Sequence, residues 1–323
     1  MAETVNRPPF DPELEASLAL MAADLPPTLT PEMIPLMRQS MIGQDARLDD
    51  LFAEAGVERR DRTIPGHEGD EIQVSVLSRQ GRTGVGPGVF HTHGGGMIMG
   101  DRFVGVDLLL GWIKDFDAVV VTVEYRLAPE FPDPYPVRDC YAGLVWTAEH
   151  AEELGIDPDR ILIAGASAGG GLAAGTALLA RDEGGPALAG QVLICPMLDD
   201  RDQTVSTVQV DGVGVWDRGS NVTGWSALLG DRRGTADVSV YAAPARATDL
   251  VGLPPAFIDC GSVEVFRDED VAYATALWAA GVQAELHVWA GGFHGFEMMA
   301  AHTALAKAAR TARDSWVARA LGA

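Results

Sequence analysis

With 323 residues, 47% of them hydrophobic and 22% charged, the chain is long enough to bury a large core, and a single α/β domain is common at this size. Forty-six acidic residues against 24 basic ones leave a net charge of −22, which repels nucleic-acid phosphates and anionic lipid surfaces. Neither nucleic-acid binding nor stable membrane association is expected.

The N-terminus, MAETVNRPPFDPELEAS, carries acids and prolines where a secretion signal needs a basic start and an apolar block. No apolar stretch approaches the roughly 18 residues of a membrane span, so the default expectation is a soluble cytoplasmic protein. Residues 1–56 read as a helical segment. Met33, Leu36, Met37, Ser40 and Met41 recur near helical spacing, as a stripe for core or lid packing rather than a cofactor box. From about residue 57 the texture changes to short strands alternating with helices. EIQVSVL, PGVFHTH, DAVVVTVEY, RILIAGAS, GQVLICP, PAFIDCG and AELHVWA read as strands, several of them continuously apolar as parallel strands covered on both faces should be. Helices are predicted around 102–115, 137–154, 168–183, 268–281 and 300–320. This alternation predicts a mostly parallel sheet with right-handed crossovers. Residues 199–250 contain no clear strand and read as an insertion over the sheet. Cys140, Cys195 and Cys260 lie far apart, the pattern of buried reduced thiols rather than of a disulfide framework or a metal site.

Gly165-Ala166-Ser167-Ala168-Gly169 follows an apolar strand and opens a strong helix, which is the strand–turn–helix setting of an exposed nucleophilic serine. The pattern alone would arise by chance in about one such chain in seven. His93-Gly94-Gly95-Gly96 is far rarer, at about 0.01 chance matches per chain, and lets a loop turn its N–H groups toward a ligand as an oxyanion hole requires. His91 and His93 could instead ligate a metal from one strand face, but Gly94–Gly96 supply no further ligand; no metal is expected. A general base should follow the serine, and His294, in a loop after the strand AELHVWA, is the candidate. His287 lies within that strand and His302 on the following helix, positions of packing or surface residues. The acid candidate is Glu264, on the loop after PAFIDCG, with Asp268 and Asp259 as alternatives.

These motifs in this order resemble the hormone-sensitive-lipase-like family of bacterial carboxylesterases. The resemblance runs through His93–Gly96, Tyr125-Arg126-Leu127-Ala128-Pro129-Glu130, residues 165–169, Glu264–Glu269 and Phe293-His294-Gly295. It implies an α/β-hydrolase fold with an eight-stranded, mostly parallel sheet. It also implies a helical cap made of residues 1–56 and an insertion at about 200–235, leaving 57–323 as the catalytic domain. The activity implied is hydrolysis of short-chain acyl esters without a cofactor. The family's oxyanion donors correspond to the N–H groups of Gly95, Gly96 and Ala168, and the YRLAPE segment corresponds to a structural turn near the site. Ala166 stands where Asp or Thr is more usual, and Met97 where many members carry an aromatic residue; Met97, Met37, Val213 and Trp216 are the candidate pocket residues. The partner expected is a small-molecule ester, with a homodimer left open. The alternatives are the same triad acting on a lactone, carbamate or amide, or a ligand-binding receptor of the kind the plant gibberellin receptors represent, which lack the catalytic histidine.

Overall fold

The computed structural model describes residues 6–21, 26, 28–41 and 45–322, the side chains of 40, 41 and 45–47 excepted. Three helices precede the sheet: α1 (Pro12–Met21), α2 (Ile34–Met41) and α3 (Asp45–Ala55). The methionine stripe is only partly inward. Met33 and Met37 pack against the core, whereas Leu36 is 64% exposed and Ile34 takes the buried position. A 3-10 turn over Pro31–Met33 sets this register, so the face starts at Ile34 and continues at Met37. Ser40 and Met41 belong to α2, but their side chains lie outside the described residues.

Eight strands follow, in the spatial order β1-β2-β4-β3-β5-β6-β7-β8. They are β1 (Val57–Pro65), β2 (Glu71–Arg79), β3 (Gly86–Thr92), β4 (Val119–Glu124), β5 (Ile156–Ala166), β6 (Gly190–Ile194), β7 (Ala256–Gly261) and β8 (Ala284–Trp289). β1 and β2 pair antiparallel, as do β2 and β4, and every other pairing is parallel. The central strands β3, β6 and β7 are buried at every residue, which is why they read as mostly apolar runs. Each aliphatic side chain so enclosed contributes about 1.5–3 kcal/mol.

Helices α4 (Leu110–Asp115), α5 (Tyr135–Glu149), α6 (Ala151–Leu154), α7 (Ala168–Asp182), α10 (Arg267–Ala279) and α12 (Ala304–Leu321) connect or flank these strands. Between β6 and β7 lie α8 (Val205–Gln209) and α9 (Arg218–Leu229) and no strand among the described residues, as the pattern of 199–250 predicts. The short α11 (Phe296–Met299) sits between β8 and α12, and His302 is in the turn before α12 rather than on it. All three cysteines are free and buried. No described helix is long and apolar enough to cross a membrane.

Candidate active site

The site forms where β3, β5, β7 and β8 end, because parallel strands present their C-terminal loops on one edge of the sheet. β5 runs directly into α7 through Ser167, whose φ of 59° and ψ of −125° are sterically costly for a residue with a side chain. The turn is pinned from both sides. Ser167 N donates to Ile194 O at 2.8 Å, and Ser167 O accepts from Met197 N at 2.9 Å and Gly171 N at 3.1 Å. Gly169 must lack a side chain here, since a Cβ would lie 2.1 Å from Thr92 O. That contact lets α7 start hard against the end of β3, where Thr92 Oγ1 donates to Gly169 O at 2.7 Å.

The glycine loop lies beside the serine. A Cβ on Gly94 would be 3.6 Å from the Ser167 Cβ. Gly95 and Gly96 turn the chain at φ of 115° and 63°, and the loop closes through Ile98 N and Met99 N onto Gly95 O. Gly96 faces the Trp216 ring so closely that a Cβ would stand 2.3 Å from it. Ala168 is the first residue of α7, so its N–H has no intrahelical acceptor and shares the positive end of the helix dipole.

His93 holds the loop rather than reacting in it. Its Nδ1 lies 2.8 Å from Gly94 O, which can only accept, so the ring carries its proton on Nδ1. The ring stacks on Tyr125 at 4.0 Å, and Tyr125 OH donates to His93 O at 2.8 Å. Burial depresses the His93 pKa and pushes His91 down to about 3, keeping both rings neutral. His91 Nδ1 pairs with Thr122 Oγ1 at 2.9 Å. The YRLAPE segment braces the same loop from behind: Ala128 N donates to Met97 O, and Arg38 of α2 donates to Ile98 O and Ala128 O while pairing with Glu130.

Opposite the loop, His294 Nε2 stands 2.9 Å from Ser167 Oγ. Its Nδ1 faces Glu264 Oε1 at 3.7 Å, and neither atom has a hydrogen-bond partner among the described residues. Glu264 is anchored instead through Oε2, which accepts from Gly261 N at 3.1 Å. Both alternative acids are engaged elsewhere. Asp268 pairs with Arg267 and caps Ser206 N, and Asp259 pairs with Arg313. The structure therefore brings together Ser167, His294, Glu264 and the glycine loop. Of the pocket candidates, Trp216 lies against that loop, Met97 is buried in the core behind it, and Met37 and Val213 are half-buried at the edge of the core. A cavity of about 700 Å³ between α2, the Pro129–Glu130 turn and α9 is lined by other residues, Ile34, Pro35 and Thr223 among them.

A family model described as alpha/beta hydrolase fold matches residues 89–298, the span that holds the glycine loop, Ser167, Glu264 and His294. The chain belongs to that family. Among its alpha/beta hydrolase relatives, carboxylesterase NlhH of Mycobacterium tuberculosis is 36% identical over 287 residues, 88% of this chain and 87% of that one. A bacterial heroin esterase superposes with a TM-score of 0.88 at 39% identity, covering 97% of this chain and 98% of that one. Esterase LipW from Mycobacterium marinum gives 0.86 at 31% identity, with 98% of each chain covered. These relatives place the chain with the hormone-sensitive-lipase-like carboxylesterases that its motifs resemble, as a serine ester hydrolase.

Sequence reading missed two features of this alpha/beta hydrolase site. Cys195 at the end of β6 places its thiol within 4.8 Å of ligand atoms of both Glu264 and His294. Asp270, in the first turn of α10, is fully buried, and neither carboxyl oxygen has a hydrogen-bond partner among the described residues. Burial, and then the charges of Glu264 and Glu269, push Asp270 well above the usual carboxylate range. An acid raised in the folded state binds more protons there than in the unfolded chain. Its contribution to stability therefore falls as pH rises from about 4, the unfolded value, toward the folded one. Asp270→Asn is expected to raise Tm by about 2–6 °C at pH 8 and by clearly less at pH 5. Equal shifts at the two pH values, followed by circular dichroism, would contradict this.

Proposed function

We propose that this protein is a carboxylesterase that hydrolyses short-chain acyl esters with Ser167 as nucleophile, His294 as general base and Glu264 as the acid that orients it. The observation that carries the reading is the 2.9 Å contact between His294 Nε2 and Ser167 Oγ. With Glu264 opposite Nδ1, the ring keeps its proton on Nδ1 and offers Nε2 as the base. His294 takes the Ser167 proton as Oγ attacks the ester carbonyl. The N–H groups of Gly95, Gly96 and Ala168 stabilise the oxyanion that results. His294 then gives the proton to the departing alcohol, and water hydrolyses the acyl-enzyme by the same route. Residues 1–56 and an insertion at about 200–235 supply the cap in this reading, and the three buried free thiols fit a cytoplasmic setting. A serine-directed organophosphate is expected to label Ser167 stoichiometrically and abolish p-nitrophenyl ester turnover. Full activity after labelling, or a label on another residue, would overturn the assignment.

Trp216 is the specificity element of this reading, since its ring closes over Gly96 and its Nε1 has no partner among the described residues. Trp216→Ala opens space where an acyl chain would run, and one methylene in an apolar pocket is worth about 1–3 kcal/mol. The expected result is a rise of about tenfold in the kcat/KM ratio of p-nitrophenyl octanoate to butyrate. An unchanged ratio would remove Trp216 from the acyl pocket.

A further inference from the structure

We infer that Arg313 is a positioning residue for the reaction: its buried guanidinium clamps the strand that leads to Glu264 onto the loop that carries His294. The inference rests on the triad reading above. The two triad contacts differ, with Ser167–His294 at 2.9 Å and His294–Glu264 at 3.7 Å. The longer contact depends on how two separate loops sit against each other. At their bases they are joined by main-chain bonds, Ser262 N to Trp289 O at 2.8 Å and Val263 N to Gly292 O at 2.9 Å.

Past His294 the tie is ionic. Arg313 Nη2 reaches over from α12 to Asp259 Oδ2 at 3.0 Å and to Glu297 Oε1 at 2.8 Å. Asp259 lies in β7, five residues ahead of Glu264, and Glu297 lies in α11, three residues past His294. Trp289 Nε1, at the end of β8, donates to Asp259 Oδ2 at 3.1 Å, and Arg310 donates to Glu297 O at 2.8 Å. A single nitrogen thus links the acid-bearing strand and the base-bearing loop.

Asp259, Glu297 and Arg313 are each no more than 2% exposed, and the face of α12 around Arg313 is otherwise Ala306, Ala309, Trp316 and Val317. Apolar side chains in place of all three charged groups would pack there as well or better, because desolvation of buried ions offsets most of their Coulombic attraction. What an apolar residue could not do is fix two carboxylates, one on each limb, at a set distance. Burial, with the Asp259 charge nearby, pushes Glu297 up to about 7, as expected where two acids share one cation. A displacement of about 1 Å at reacting groups costs on the order of 10²-fold in rate.

The test compares Arg313→Met, Arg313→Lys and Glu297→Ala on p-nitrophenyl butyrate, with kcat expressed per organophosphate-titrated site, and Ser167→Ala, with turnover expressed per mole of folded protein, Tm being recorded in parallel. Glu297→Ala leaves Asp259 and Arg313 as a matched pair, so it folds even where Arg313→Met does not. Arg313→Met and Glu297→Ala are expected to lose about 10–100-fold in kcat with KM within about threefold. Arg313→Lys is expected to return to within about fivefold of the parent, since one nitrogen makes all the contacts. Unchanged kcat per site in Glu297→Ala and in folded Arg313→Met, with only Tm lowered, would reduce the cluster to a stability element and overturn the clamp. Retained turnover in Ser167→Ala would instead sink the triad reading itself.

Discussion

Ser167→Ala is expected to lower kcat for p-nitrophenyl butyrate by about 10⁶-fold, with KM changed little, because loss of the nucleophile in a serine hydrolase removes the acyl-enzyme route altogether. The size follows from the geometry. Ser167 holds a strained backbone, and its Oγ is aligned on His294 Nε2 at 2.9 Å. Alanine keeps the fold, since the turn is held by main-chain bonds to Ile194, Met197 and Gly171. The residual rate, about 10³–10⁴ over water, would come from the glycine loop and substrate binding. A loss below about tenfold in steady-state assays would exclude Ser167 as the nucleophile.

Glu264→Gln carries the next largest expected effect, a fall of about 10³–10⁴ in kcat with binding nearly intact. An amide at this position can present its NH2 to His294 and so favour the wrong tautomer, with Nε2 protonated and unable to act as base. It also removes the negative charge that stabilises the imidazolium formed in the transition state. With the Nδ1–Oε1 separation already 3.7 Å, the shorter Glu264→Asp is expected to recover only a minor part of the rate. Asp268→Asn is the control. Asp268 is tied to Arg267 and Ser206 N, so its loss should leave kcat within about threefold. Kinetic parity of Glu264→Gln with the parent would move the acid role elsewhere.

The short motifs around the site were legible because each is local. A serine between small residues at a strand–helix junction, and three glycines after a strand, have their geometry dictated by neighbours in sequence. The seven apolar strands were legible for the same reason. β1 was not, since VERRDRTIP is mostly charged. It is an edge strand whose pairing with β2 over Val57–Pro65 rests on main-chain bonds, with Arg59 and Asp61 on the solvent side. Loop position pointed to Glu264 but kept Asp268 and Asp259 as alternatives, because all three lie in or after the same strand. Competing partners distinguish them, with Asp268 tied to Arg267 and Ser206 N and Asp259 to Arg313. Arg313 was the least legible of all. Within ARTARDSWVAR it reads as one more charge on a solvated helix face, and only tertiary placement buries it beside Asp259 and Glu297. Side chains that work through distant partners leave no periodic trace in the sequence.

The most direct test of the account is a rapid-quench experiment with p-nitrophenyl butyrate, in which released nitrophenol is counted and the enzyme is digested and read by mass spectrometry. A burst of nitrophenol close to one per active site and a butyryl group on the peptide carrying Ser167 are expected. Turnover without an acylated intermediate, or an acyl group on another residue such as Cys195, would contradict it.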